Sequence, residues 1–455
     1  MPKQTRPRII VLTDIGNEPD DSESMVRFLL YSNEFDVEGL IACTSTWLRN
    51  KVHAELITER VHAYGRVLSN LRVHAAGYPD ATYLLDRIKE GRAAYGMSGV
   101  GRGRDTDASR LIIEAVDRPD PRPVWVLLWG GATDLAQALW TVRKSRPPKE
   151  VAIFVSKLRV YASSDQDDAG PWLRAIFPRM FWIASIHAFG CYGRATYIGI
   201  SSRRAPGADN TMVSREWLAA NIQNKGPLGA VYPTPEYIME GDSTSFLYLI
   251  PNGLGSPENP NWGSWGGRYG SVGPALGLWT DTEDTVRAID GSIITDNKAT
   301  IWRWRTVFQN DFLARMIWSV TPTYVGANHN PELVLNGVPG RAPVEIIARA
   351  GEVVKLSAAG SSDPDGNKIT YRWWQYREVT SVLNPQQVSI ADAETSEVEV
   401  IAPQAVKPAP NVDIPKQNVF HIILEAKDDG TPPLTSYRRA VITVPTTDSP
   451  AGIAK

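Results

Sequence analysis

A buried-strand pattern followed by four acidic residues is the feature that most restricts the fold of this chain. Residues 8–12 form a short apolar run, and residues 22–31 show the periodicity of an amphipathic helix. Between the two segments stand the acidic residues Asp14, Glu18, Asp20 and Asp21. A strand–loop–helix unit of this kind places the acids at the carboxyl end of a strand, which is the edge where open α/β sheets bind ligands.

The close spacing of these acids predicts a cation site. Four carboxylates within eight residues repel one another unless a cation or bound protons compensate their charge. Carboxylate oxygens are the ligands that calcium and magnesium prefer. The alternative is a solvated loop in which Asp20 and Asp21 stabilise the start of the following helix.

The same stretch resembles the calcium motif of nucleoside hydrolases, Asp-x-Asp-Pro-Gly-x-Asp-Asp. Residues 13–21 read Thr-Asp-Ile-Gly-Asn-Glu-Pro-Asp-Asp, with altered spacing and with Leu12 in place of the first family aspartate. Nearly the whole chain is similar to a bacterial family of nucleoside-hydrolase-like proteins that are described as cellulose-binding. The resemblance implies a doubly wound, mostly parallel α/β domain, a calcium ion with magnesium as second choice, and a carbohydrate substrate.

Two later segments resemble the rest of the family's calcium shell. Residues 130–136, Gly-Gly-Ala-Thr-Asp-Leu-Ala, resemble a turn whose backbone carbonyl binds the ion, and Ala132 or Thr133 would supply it here. Asp242 resembles the last calcium aspartate, whereas Gly241 replaces a histidine and so argues against release of a nucleobase. A tight turn and a helix N-cap are the respective alternatives. The resemblance thus implies a ligand set of Asp14, Asp20, Asp21, Thr133 and Asp242.

Polar residues in two further loops are predicted to bind substrate. Asn50 resembles a sugar-binding asparagine of nucleoside hydrolases, with Trp47 in the same loop, although a helix cap would look similar. A second acidic cluster follows a predicted strand at residues 158–162, and strand ends of one sheet converge on one cleft. The residues selected from this cluster are Asp165, Gln166 and Asp168, with a plain helix N-terminus as the alternative.

A glycine-rich segment supplies two more candidates, Trp262 and Trp265. The chain has 15 tryptophans, and a glycine loop offers these two little local core. Stacking on a sugar ring and packing as a lid are both open interpretations.

The resemblance implies hydrolysis of a glycosidic bond by a cation-activated water. Asp14 would accept the proton of that water while the anomeric carbon passes through an oxocarbenium-like state. The acid that protonates the leaving group is not fixed, and Glu18, Glu240 and Asp165 are the candidates. His187 follows a predicted strand, and a structural role is favoured for it.

The pattern changes after residue 325, which divides the chain into predicted domains at 1–325 and 326–455. Residues 52–71 and 80–90 show helical periodicity, whereas the last third has six short strand-like runs separated by turns. That pattern predicts an immunoglobulin-like β-sandwich with Trp373 or Trp374 in its core. Residues 361–367, Ser-Ser-Asp-Pro-Asp-Gly-Asn, favour a hydrogen-bonded turn over a calcium site.

Composition excludes several other classes of protein. A formal net charge of −2 gives no basic surface for nucleic acid, and no apolar run is long enough to cross a membrane. Two cysteines form no disulfide framework, and six scattered histidines do not indicate zinc. A homo-oligomer is compatible with the sequence. Residues 1–8 do not resemble a signal peptide, yet the resemblance implies a secreted or periplasmic protein, with the cytoplasm left open.

These observations favour a metal-dependent glycosidase that acts on plant or microbial polysaccharide or oligosaccharide. An N-riboside hydrolase is the first alternative, because nucleoside hydrolases have this fold. A carbohydrate-binding protein without activity is the second, although the presence of Asp14 argues against it.

Overall fold

The computed structural model of the chain describes residues 6–200, 205, 207–273, 275–380, 386–405 and 418–445. These residues fall into two units. The first comprises Met1–Ile250 and Pro257–Ala327, and the second comprises Pro251–Ser256 and Asn328–Lys455.

An eight-stranded sheet organises the first unit. Its strands are β1 (Arg8–Thr13), β2 (Asp36–Ala42), β3 (Ile88–Glu90), β4 (Val124–Leu128), β5 (Leu158–Ser164), β6 (Phe181–Ser185), β7 (Tyr269–Ser271) and β8 (Leu278–Asp281). The strand order is β3-β2-β1-β4-β5-β6-β8-β7, and all neighbours are parallel except β7 and β8. The order reverses between β1 and β4, so the edge beyond these two strands is the expected ligand site of such a sheet.

Helices flank this sheet as the sequence predicts. They are α1 (Asp20–Leu30), α2 (Ala54–His74), α3 (Ala81–Leu85), α4 (Asp107–Asp117), α5 (Thr133–Ser145), α6 (Pro148–Ser156), α7 (Ala169–Ile176), α8 (Arg215–Leu218), α9 (Gly226–Gly229), α10 (Ser243–Leu247), α11 (Ala299–Trp302) and α12 (Arg305–Trp318). Every residue of β1 and β4 is buried, which explains their continuous apolar runs. The predicted doubly wound α/β fold is therefore confirmed.

One predicted helix of this unit is wrong in part. Residues 80–90 form only the short helix α3 and then the strand β3, which pairs in parallel with the end of β2. The edge of the sheet thus overrides the helical periodicity of this segment. A separate hairpin follows the sheet, formed by β9 (Asp284–Arg287) and β10 (Ile293–Asp296). No helix in the described part of the chain is both long and apolar enough to span a membrane.

The second unit is the predicted β-sandwich. Its strands are β11 (Val334–Leu335), β12 (Val338–Pro339), β13 (Val344–Ile347), β14 (Val353–Ser357), β15 (Thr370–Gln375), β16 (Ile390–Ala391), β17 (Glu397–Ile401), β18 (Val419–Lys427) and β19 (Thr435–Thr443). One sheet has the order β13-β19-β18-β15 and the other β14-β17-β16. Their inner faces share a core that includes Trp373, whereas Trp374 is only half-buried.

Candidate active site

The loops that leave five parallel strands bring the candidate site residues to one edge of the sheet. Because parallel strands all end at the same edge, residues that are distant in sequence become neighbours there. The residues concerned are Asp14 after β1, Ser45 and Trp47 after β2, Gly130 after β4, Gln166 after β5 and His187 after β6.

Three buried carboxylates lie together at this edge and are called here the acidic centre. Asp20, Asp21 and Asp242 each have a carboxylate oxygen within 4.8 Å of the others. Burial raises the pKa of all three, and the negative charge of the neighbouring Asp14 adds to the rise. The structure thus brings together four of the five residues predicted to hold a cation.

The carboxylates of the acidic centre do not serve as helix caps. Pro19 occupies the N-cap of α1, and no side chain hydrogen-bonds there. Asp242 occupies the N-cap of α10 but likewise makes no capping bond with its side chain. Asp21 instead accepts a hydrogen bond from the Thr13 hydroxyl. The first turn of α1 places partial positive charge near Asp20 and Asp21, which favours their ionised forms.

Burial and mutual repulsion dominate the electrostatics of this edge. Burial raises the pKa of Asp20 to about 8, and the charges of Glu18 and Asp14 add to this rise. Burial also raises the pKa of Asp21 and Asp242 well above their usual range, and the neighbouring carboxylates contribute further. The folded protein therefore needs either protons or a cation at the acidic centre.

The residues present fit a divalent cation. Oδ1 of Asp20 is buried and has no hydrogen-bond donor among the described residues. One oxygen of Glu23, on the same helix, is also buried without a donor. These carboxylates repel one another, and some of their oxygens lack a hydrogen bond. A calcium or magnesium ion coordinated by them would compensate for both. Asp20, Asp21 and Asp242 would hold the ion, with Asp14 next to it.

Asp14 is held by the loop after β2. The hydroxyl of Ser45 donates to Asp14 and accepts hydrogen bonds from the backbone N–H groups of Trp47 at 2.9 Å and Leu48 at 3.1 Å. Burial raises the pKa of Asp14 to about 6, although the Ser45 bond partly offsets the rise. Gly130 packs so closely that a Cβ at this position would lie 2.8 Å from Oδ1 of Asp14.

Thr133, the fifth predicted ligand, is placed elsewhere. Its hydroxyl lies 3.2 Å from Asp167, and the carbonyl of Ala132 accepts the 2.8 Å hydrogen bond of Ala136 inside α5. In the turn that follows β4, Gly130 lies against Asp14. The structure thus directs the Thr133 hydroxyl to Asp167, and a backbone carbonyl of this turn as ligand stays a prediction.

Glu240, predicted as a catalytic acid, is a structural residue. Its carboxylate is fully buried and forms an ion pair with Arg27 at 2.5 Å. The hydroxyls of Tyr232 and Ser243 donate to it at 2.8 and 2.6 Å. These partners saturate both oxygens, so Glu240 is not free to give a proton to a substrate. Glu18, by contrast, is partly exposed, and burial followed by the charge of Glu236 raises its pKa.

A cavity of about 270 Å³ opens at the same edge. Its lining residues are Thr46, Trp47, Tyr95, Asp165, Gln166, Asp167, Pro171, Ser185, His187 and Tyr192. Trp47 is 53% exposed and offers an aromatic face at the cavity. The guanidinium of Arg49 lies 4.7 Å from the ring centroid of Tyr95. Aromatic faces with adjacent polar groups suit the binding of a sugar.

Residues of the second acidic cluster mainly fix the loops around this cavity. Asp165 pairs with both terminal nitrogens of Arg174 at 2.8 and 2.6 Å, and the Gln166 amide donates to the Trp129 carbonyl. Asp168 accepts a 2.8 Å hydrogen bond from the backbone of Met97 and does not line the cavity. Asp165 and Gln166 can contact a ligand, whereas Asp168 positions a loop.

Three other predicted substrate-binding residues lie away from the cavity. Asn50 is exposed but is not one of the lining residues. Trp262 and Trp265 are only 7% and 1% exposed, so neither presents a face on which a sugar could stack. The prediction assumed that a glycine loop lacks a core, but the fold buries this segment.

Tyr192 is a site residue that the sequence did not indicate, and His187, for which the sequence favoured a structural role, lies at the cavity as well. Tyr192 lines the cavity, and burial followed by the charges of Asp242 and Asp20 raises its pKa. His187 also lines the cavity, with Nδ1 2.9 Å from the Ala188 carbonyl. Tyr192 follows no strand directly and has no motif, so only the fold reveals its position.

Family models match both parts of the chain. Residues 8–269 match the nucleoside hydrolase-like domain of cellulose-binding Sde182. Residues 353–444 match the C-terminal domain of the cellulose-binding protein Sde0182. No curated protein matches the chain.

A solved structure is similar along almost the entire chain. It is a nucleoside hydrolase-related hypothetical protein from Saccharophagus degradans, described as associated with carbohydrate metabolism. The identity is 36% and the TM-score 0.82, over 97% of this chain and 100% of that one. The effector protein XOO4466 is 11% identical over 70% of this chain and 93% of that chain, with a TM-score of 0.29.

Proposed function

The chain belongs to the family of nucleoside hydrolase-like, cellulose-binding proteins represented by Sde182, and from this we propose that it is a cation-dependent glycoside hydrolase. Its substrates would be oligosaccharides or polysaccharides of plants or microbes. Cellulose binding and carbohydrate metabolism are stated for its relatives, and they support this substrate class. Action on such polymers would place the protein outside the cytoplasm, in the periplasm or secreted.

The single observation behind the proposal is the position of the cavity beside the acidic centre. The Ser45 hydroxyl donates to Asp14 and accepts from the backbone N–H of Trp47, which lines the cavity, so one loop connects the two features. A sugar that stacks on Trp47 would thus reach towards the carboxylates at the end of β1. A binding surface for cellulose alone has no need of buried, mutually repelling carboxylates, which cost stability.

Each residue of the site has a definite task in this proposal. A calcium or magnesium ion, when bound, would attract sugar hydroxyls and lower the pKa of a water molecule. Asp14 accepts a proton from the water whose oxygen forms a bond to the anomeric carbon. Ser45 fixes the orientation of Asp14 through its hydrogen bond. Burial raises the pKa of Asp14 to about 6 in the metal-free protein, and a bound cation would lower it again and keep the carboxylate ionised, as a base requires.

The bond from the anomeric carbon to the leaving oxygen breaks in the same reaction, and that oxygen needs a proton. His187 lines the cavity, so its imidazole is placed to donate to a leaving group there. Glu18 is the alternative donor, because it is partly exposed close to Asp14. Glu240 is not a candidate, because Arg27 and two hydroxyls occupy its carboxylate.

Product release from a panel of polysaccharides, aryl glycosides and nucleosides tests the proposal. The panel is assayed with calcium, with a chelator, and with the variants Asp14→Asn and Asp86→Asn. Asp86 is an exposed aspartate away from the cavity and serves as the matched control. We expect sugar release that the chelator and Asp14→Asn abolish and that Asp86→Asn leaves unchanged.

Other outcomes would identify a different function. Release of a free base from a nucleoside would show the chemistry of nucleoside hydrolases. Glycan binding without turnover, equal in wild type and Asp14→Asn, would show a binding protein and refute the proposed reaction. If wild type is active, His187→Gln and Glu18→Gln then identify the proton donor, because loss of the donor affects substrates with poor leaving groups most.

A further inference from the structure

Two carboxylate oxygens in the second unit are buried without a hydrogen-bond donor. They are Oδ2 of Asp363 and Oδ2 of Asp428, and no described group donates to either. Asp428 is only 3% exposed, so water does not solvate its side chain freely. A buried carboxylate oxygen without a hydrogen bond destabilises the folded protein. One bound ligand that contacts both oxygens would remove this cost at both positions.

The backbone fixes both carboxylates through their other oxygens. Oδ1 of Asp363 accepts from the N–H groups of Asp365 at 2.9 Å and Asn367 at 3.1 Å. Oδ1 of Asp428 accepts from the N–H groups of Gly430 and Leu434, each at 2.9 Å. The hydrogen-bonded turn predicted from the sequence is therefore present. It uses one oxygen of each aspartate and leaves the second oxygen free.

The two aspartates belong to separate loops that Asn328 joins. The Asn328 amide nitrogen donates to Asp428 at 3.1 Å, and its oxygen accepts from the Asn367 amide at 2.7 Å. Burial raises the pKa of Asp428, and the negative charge of Asp363 raises it further. Asn328 and Asn367 thus hold the two aspartates in one hydrogen-bonded network.

We propose that Asp363 and Asp428 are ligands of a calcium ion in the second unit. Two carboxylates on irregular loops, with the Asn328 amide oxygen and the Pro432 carbonyl in the same hydrogen-bonded network, suit the flexible oxygen coordination of calcium better than the strict octahedron of magnesium. The ion would join the turn before β15 to the loop after β18. This site is separate from the acidic centre and does not depend on the proposed hydrolase activity.

Calcium titration of the full chain by isothermal calorimetry tests the site. To remove the contribution of the acidic centre, the titration is done with Asp242→Asn as the parent protein. Asp363→Asn and Asp428→Asn are added to this parent, with Glu394→Gln, an exposed acid of the same unit, as the control. Asparagine retains a side-chain oxygen that can accept the existing backbone bonds. Magnesium is titrated in parallel.

We expect the parent and the Glu394→Gln control to bind one calcium ion per chain. Each aspartate variant should weaken this binding at least about tenfold, because one of two anionic ligands is lost. Calcium should also raise the thermal midpoint of the parent but not of the variants. Circular dichroism checks that the variants are folded, and if one is not, the other decides. A parent that binds no calcium, or two folded variants that bind it with unchanged affinity, would overturn the proposal.

Discussion

Gly241 lies against Asp20 so closely that a Cβ at this glycine would stand 2.1 Å from Oδ2 of the aspartate. A side chain at residue 241 and the present position of Asp20 are therefore mutually exclusive. Nucleoside hydrolases have a histidine at this place in the motif. Replacement of that histidine by glycine thus has two effects. It removes a proton donor, and it leaves space for the Asp20 carboxylate of the acidic centre.

Gly241→Ala should abolish or strongly weaken binding of a divalent cation, because the methyl group displaces Asp20. The expected loss is at least about tenfold in calcium affinity, measured by calorimetry on the full chain in the background of Asp363→Asn. Gly273→Ala is the control, since a Cβ at that glycine meets nothing within 4 Å. Unchanged affinity in a folded Gly241→Ala protein would show that Asp20 is not a ligand.

Glu240→Ala should destabilise the first unit rather than specifically remove activity. It leaves Arg27 buried without its ion-pair partner, which we expect to cost about 3–5 kcal/mol of unfolding free energy. Urea denaturation measures this loss, and Glu114→Ala, an exposed position on α4, should change stability by less than about 0.5 kcal/mol. If Glu240→Ala unfolds like wild type but is inactive, the catalytic role must be reconsidered.

The sequence predicted those parts of the site that follow strands directly. Asp14 comes immediately after β1, and Asp20 and Asp21 begin the helix that the next loop leads into, so local pattern alone places them at the sheet edge. Asp242 could be assigned only through family resemblance, because nothing local distinguishes it from an N-cap residue. Tyr192 could not be found at all, since its position depends on how a long connection folds back.

The errors in the fold have the same physical origin. Residues 80–90 have helical periodicity, but Ile88–Glu90 form backbone hydrogen bonds with the end of β2 and therefore adopt a strand. Trp265 lies in a glycine-rich segment that suggested exposure, yet it is buried in the fold. Local patterns therefore gave the sheet and sandwich correctly, and failed where contacts between distant segments decide the outcome.

The metal-free protein should lose stability as the pH rises from about 6 to about 8. Burial raises the pKa of Asp14 to about 6, of Asp20 to about 8 and of Glu23 to about 9. Groups with a raised pKa bind protons more tightly in the folded state, so stability falls as the pH rises from the unfolded-state pKa to the folded-state pKa of each group. Asp14 has completed its contribution near pH 6, and the fall from pH 6 to pH 8 comes from Asp20 and Glu23.

Thermal unfolding in chelator at pH 6, 7 and 8 should therefore show a falling midpoint. Calcium should reduce that fall, because it compensates the carboxylate charges in place of protons. Asp20→Asn should flatten the profile in chelator, because it removes one of the repelling charges. A midpoint that is constant or rising across this range without metal would contradict the electrostatic description of the acidic centre.

Trp47→Ala should weaken glycan binding while leaving the fold intact. The ring is half-exposed at the cavity, so its removal loses a stacking face but little core packing. We expect about a tenfold loss of affinity for soluble cello-oligosaccharides. This corresponds to about 1–2 kcal/mol of binding free energy for an exposed aromatic contact. Tyr324→Ala, a partly exposed aromatic that does not line the cavity, is the control for calorimetry. Equal affinity in wild type, Trp47→Ala and Tyr324→Ala would place the glycan site away from the acidic centre.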